Sequence, residues 1–171
     1  MLTPFRASRL YREASEAGRH DHYTVSLAYR QLAFLVTEQF RGLERMGMRF
    51  LRSDDPQPYH CHLDLAEDIK DGTMRVYAGC LNHPEFTDEE NWMFRAVHDY
   101  FGHAMPGHPF DTFQGEVDAF RAHAATFPAT IGARLALQAM AQEVVGQAGA
   151  FYMTGKYPVQ HAGLFPLHEV L

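Results

Sequence analysis

Cysteine is scarce in this chain of 171 residues: Cys61 and Cys80 stand singly, without a CxxC spacing. That usage argues against a disulfide scaffold and suits a reduced, cytoplasmic setting. Long apolar runs are also missing. No stretch of about 18 apolar residues occurs, so no membrane span is expected, and the segment up to Tyr23 lacks the apolar core of a signal peptide. Positive charge is in deficit, with a net charge of -6 and a pI near 6.0, so no global field would gather phosphates and nucleic acid is not an expected partner. Neither an internal repeat nor a low-complexity segment is present. The length and the 46% hydrophobic content fit one domain spanning 1–171, with room for a core and a pocket.

Histidine, in contrast, is abundant, with eleven residues scattered through the chain rather than gathered in a tag. Their value depends on where each one falls. Apolar residues from Thr24 to Met46 recur at three- and four-residue steps, which predicts an amphipathic helix stopped by Gly47. Residues 48–51 read as a short apolar segment before the breaker run at 53–58. Leu63 to Ile69 reads as one or two helical turns, and Thr73 to Ala78 as a strand that could pair with 48–51. Thr87 and Glu90 form a capping box, so a helix should start at about Asp88. Its end is expected at Gly102, read as the residue past the last turn because glycine tolerates positive φ. Further helices are predicted over about 111–126 and from Pro128 or Ala129 to about Thr154. The fold class that follows is mainly α, a helical domain with a small two-stranded β element.

Within this frame the stretch Val97-His98-Asp99-Tyr100-Phe101-Gly102-His103 carries the sharpest chemistry. On a continuous α-helix His98 and His103 would point about 140° apart. A chain turn at Gly102 would let His103 swing back toward His98. Glu143 lies in a segment so apolar that its carboxylate should be buried, and a buried carboxylate needs a cation, a hydrogen-bond network or a metal. Gln147 is one turn on, along the same face. Two histidines and one carboxylate make the ligand set that holds Fe(II) with open positions, and the same set holds catalytic zinc. Glu116 and His123, two turns apart on another helix, could orient the ligands, supply a second metal or form a polar stripe. Asp99 could hydrogen-bond a ligand histidine or carry a proton. His108 could cover the site, whereas His60 and His62, flanking Cys61, read as a polar loop.

The order of these residues resembles the iron site of the aromatic amino acid hydroxylases, in which HxxxGH is followed by FxxFxQE and later by a glutamate ligand. Here HDYFGH precedes FDTFQGE, and the resemblance implies that His98, His103 and Glu143 bind iron. The pterin-binding segment of that family is not identified in this chain, so pterin is not assigned. A second, wider likeness runs over residues 82–166, through FRAVHDYFGHA, GEVDAFRAHAATF, QEVVGQ and QHAGLFP. It is similar to an uncharacterised domain of phage and mobile-element proteins, associated with large polyvalent proteins. That likeness implies a phage-encoded protein in the host cytoplasm and singles out His98, Asp99, His103, Glu116, His123, Glu143 and Gln147.

The expected function is a small non-haem metal enzyme, an Fe(II) oxygenase or hydroxylase acting on a small molecule, with His98, His103, Glu143, Glu116 and His123 as metal residues and Asp99 and Gln147 as catalytic ones. Zinc or manganese is the alternative ion. A metal-dependent phosphohydrolase and a non-catalytic phage module with a structural His/Glu cluster remain as competing readings. Neither the substrate, the cosubstrate nor the oligomeric state follows from the sequence.

Overall fold

The computed structural model describes residues 1–16, 18–79 and 81–171. Cys80, one of the two cysteines weighed above, lies outside the described residues. The architecture is mainly helical with one small sheet. Helix α1 (Pro4–Ser15) opens with Thr3 as N-cap, its side chain accepting from Arg6 N at 3.3 Å, and with proline at the first helical position. The periodicity reading assigned nothing to this segment, although the Thr3-Pro4 pair is a start signal. Helix α2 (His22–Arg45) is capped by Asp21, which accepts from Thr24 N at 2.9 Å, and Gly47, at φ 98°, turns the chain after its end.

Strands β1 (Arg49–Ser53) and β2 (Thr73–Tyr77) pair in parallel, in a register from Arg49 opposite Thr73 to Ser53 opposite Tyr77. A parallel pair needs a crossover, and α3 (His62–Lys70) lies in it. Helix α4 (Asp88–His98) begins with the expected capping box. Glu90 N donates to Thr87 Oγ1 at 3.2 Å, and Thr87 N to Glu90 Oε2 at 2.7 Å.

The end of α4 departs from the expectation. Rather than stopping at Gly102, the helix widens into a π-helical turn over Asp99–Ala104, with Met105 N bonding Tyr100 O at 3.0 Å. Gly102 does not take positive φ; in this stretch Gly107 does, at 78°. The reason for a glycine at 102 is proximity. A Cβ there would meet Ala119 O at 3.0 Å and the His98 ring at 3.1 Å, so its absence lets α5 (Phe113–Ala124) press against the widened turn.

The long helical run predicted toward Thr154 is present as α6 (Ile131–Ala141), a second π turn (Gln142–Gly146) and α7 (Gln147–Thr154), in unbroken succession. It starts later than expected because Thr130, not the Pro128-Ala129 pair, caps it, accepting from Ala133 N at 3.1 Å. Helix α2 packs on α6 and α4, and α1 lies along α7. The core between them draws on Tyr29, Leu32 and Val36 of α2, Val97 of α4, Phe120 of α5 and Met140 of α6. Among the described residues no helix is long and apolar enough to cross a membrane.

Because the capping box satisfies two backbone donors at the start of the helix that carries His98, Thr87→Ala should lower unfolding free energy by about 1 kcal/mol. Urea denaturation with an unchanged slope is the measurement; an unchanged midpoint would mean that the box contributes nothing.

Candidate metal centre

The π turn resolves the spacing problem of His98 and His103. Hydrogen bonding five residues back, in place of four, stacks residues five apart, and such turns occur often at functional sites. The two rings stand 5.3 Å apart between centroids, edge to face at 87°. Glu116 reaches the same point from α5, and one ligand atom from each of His98, His103 and Glu116 lies within 4.8 Å of the others.

Each histidine here is held by a hydrogen bond behind it. His103 Nδ1 is 3.1 Å from the carbonyl of His108, and a carbonyl only accepts, so Nδ1 carries the proton. Its Nε2 faces Glu116 Oε2 at 3.6 Å. That separation is too long for a hydrogen bond. Two donors bound to one ion at about 2.1 Å each stand about 3.0 Å apart at a right angle and about 3.4 Å apart at a tetrahedral one. His98 Nδ1 lies 3.4 Å from Nδ1 of the buried His123, while His98 Nε2 is buried without any hydrogen-bond partner. Aromatic rings close the surroundings, with Phe94 stacked on His98 at 6.0 Å and Phe110 against His103 at 4.5 Å.

The electrostatics favour the neutral ring for His98 and His123 but not for His103. Burial, reinforced by the neighbouring His103, His123 and Arg95, holds His98 well below the ordinary histidine range. Burial alone brings His123 down to about 3. For His103 burial acts the same way, but Glu116, Asp99 and the His108 carbonyl together outweigh it and raise its pKa. Burial lifts Asp99 to about 6 against the opposing pull of His103 and Arg95.

The expected third ligand, Glu143, is engaged in a different cluster. Its carboxylate accepts from the Tyr29 hydroxyl and from the Gln147 amide, and its Oε1 stands 3.2 Å from His83 Nε2. His83 Nδ1 accepts from the backbone N–H of Glu85 and of Phe86, both at 3.0 Å, so the neutral ring carries its proton on Nε2, a buried atom near Glu143 that makes no hydrogen bond. The two hydrogen bonds from Tyr29 and Gln147 lower the cost of burying this carboxylate without a metal. The carboxylate that closes on His98 and His103 is Glu116. His123 backs His98, and Asp99 is half-buried at the start of the π turn. His108 contributes its carbonyl rather than its ring. His60 and His62 line a hollow of about 160 Å³ with Pro109, Phe110 and Asp111.

Sequence reasoning missed Tyr29 and His83, and gave no part to Gln39 or Thr126. For His83 a signal existed, since it lies just ahead of the Thr87 capping box where loop N–H groups need acceptors. For Tyr29 none did, because it reads as one more apolar position of α2. Compared with known proteins, the chain matches no family model, no curated protein and no solved structure.

Gly102→Ala should destabilise the protein by about 1 to 2 kcal/mol despite alanine's better helix propensity, because the added methyl meets the backbone of α5 and the ring of His98. Chemical denaturation reads this out, and a gain in stability would mean that the close approach of α5 is not a constraint.

Proposed function

We propose that His98, His103 and Glu116 hold one divalent transition-metal ion, Fe(II) in the working protein, and that the chain is a small non-haem oxidoreductase acting on a small molecule. The observation that carries this reading is the convergence of His98, whose buried Nε2 has no hydrogen-bond partner, with His103 and the Glu116 carboxylate, their ligand atoms lying within 4.8 Å of one another. Two histidines and one carboxylate form the set that binds Fe(II) on one face. When bound, the ion would supply open coordination positions for dioxygen and substrate.

The chain's own residues account for the rest. The carbonyl of His108 holds the His103 ring with Nε2 free, and the N–H of His98 toward His123 does the same for His98. Phe94 and Phe110 restrict water on the ligand side. Asp99, with its pKa brought to about 6 by burial, can hold or release a proton near His103, Arg95 and Glu116. Gln147 belongs to the Glu143 cluster, where it orients that carboxylate. The similarity of HDYFGH and FDTFQGE to the aromatic amino acid hydroxylase motifs favours iron over zinc or manganese, with Glu116 in place of Glu143 as the carboxylate ligand. The likeness to a phage and mobile-element domain favours a phage-encoded protein working in the host cytoplasm. Pterin has no residues assigned to it.

Chelator-treated protein titrated anaerobically with Fe(II) should take up one ion per chain. His98→Ala, His103→Ala and Glu116→Ala should each abolish uptake, whereas Glu143→Gln should retain it. Uptake lost in the Glu143 variant and kept in Glu116→Ala would move the third ligand back to Glu143. Tight zinc binding with no stable Fe(II) complex would favour the hydrolase reading, and a wild-type chain that binds no divalent metal would sink both.

A further inference from the structure

Two side chains outside the ligand set determine which nitrogen of His98 carries the proton. Thr126 Oγ1 donates its one hydrogen to the carbonyl of His123 at 2.7 Å, so toward other groups it can only accept. It accepts from Gln39 Nε2, also at 2.7 Å. That contact fixes the orientation of the Gln39 amide and turns its oxygen toward His123 Nε2, 2.9 Å away. An amide oxygen has no hydrogen to give, so His123 Nε2 is the N–H of a neutral ring and Nδ1 is the lone pair. His98 Nδ1 lies opposite that lone pair at 3.4 Å, and two bare nitrogens facing each other would repel. The proton of His98 therefore sits on Nδ1. A neutral imidazole has only one, which leaves His98 Nε2 bare, and this is the atom found buried without a hydrogen-bond partner.

We propose that Gln39, anchored by Thr126, is a positioning residue that acts through His123 to set the tautomer of His98, and so keeps His98 Nε2 ready for a metal. The relay runs from α2 through the end of α5 to the end of α4, joining positions 39, 126, 123 and 98. For His103 the carbonyl of His108 does the same directly. The opposite amide orientation would reverse every assignment and cover His98 Nε2 with a proton. The functional consequence rests on the metal-centre reading, but the tautomer does not.

Long-range proton–nitrogen NMR correlations of the imidazoles, recorded on chelator-treated protein, test the relay without any metal. The expected spectra assign the proton to Nε2 in His123 and to Nδ1 in His98; the reverse pattern overturns the proposal. In Gln39→Met, which keeps length but loses the acceptor, His98 should populate both tautomers and Co(II) affinity, read by absorbance, should fall about 10- to 100-fold. Gln39→Glu restores an acceptor and should return both readouts toward wild type. The melting temperature of each variant separates this effect from unfolding. A Gln39→Met protein that melts like wild type and keeps the wild-type tautomers and cobalt affinity would refute the role of Gln39. Wild-type protein with the expected tautomers that binds no cobalt would support the relay and overturn the metal reading instead.

Discussion

The arrangement of the site depends on the widened turn at Asp99–Ala104. A helix wound to four-residue bonds cannot put His98 and His103 on one face; one bonded five residues back can. The widening has a cost in backbone geometry that packing must offset, and the contact with α5 at Gly102 is where that packing occurs. The same contact delivers Glu116 and His123 to the turn. One local irregularity thus brings together the two histidines, their carboxylate and the group behind His98.

A second constraint is that buried charge must be answered. Two carboxylates lie among these helices, Glu143 buried and Glu116 partly exposed, and they are answered differently. Glu143 accepts from a phenol and an amide, with the imidazole of His83 close by but not in hydrogen-bond geometry. Glu116 faces a histidine at a distance no hydrogen bond spans, beside a second histidine whose outward nitrogen has no donor. The first is a carboxylate held by two hydrogen bonds. The second is a carboxylate beside two imidazoles, a grouping that a cation, whether a proton on His103 or the proposed metal ion, would stabilise.

Much of this could be read from the sequence where a local rule governs. Thr87 and Glu90 mark the start of α4, Gly47 the end of α2, and the apolar recurrence the body of each long helix. The chemistry-bearing stretch was also legible, because two histidines in an apolar run are rare enough to stand out. The pairing across helices was not legible. Glu143 and Glu116 both sit in apolar segments at helical spacing, and only the packing of α5 against the π turn decides which of them reaches the histidines. The π turn itself was hidden, since Gly102 satisfies the signature of a helix stop equally well. Helix α1 was lost for a different reason: its apolar residues are small or aromatic, and the cap at Thr3 was the stronger signal.

The two constraints act together on stability. In the chain without an ion, His98 Nε2 and the gap between His103 and Glu116 leave polar groups desolvated without full compensation, a standing cost to the fold. An ion that binds only the folded chain removes that cost and adds its own binding free energy, so folding and metal uptake are coupled thermodynamically. Orienting both imidazoles beforehand, one from a backbone carbonyl and one through His123, means that binding need not reorganise the rings. On the proposed metal reading, the arrangement would place the cost in the metal-free state, where it would favour uptake, and keep it away from the geometry that uptake requires.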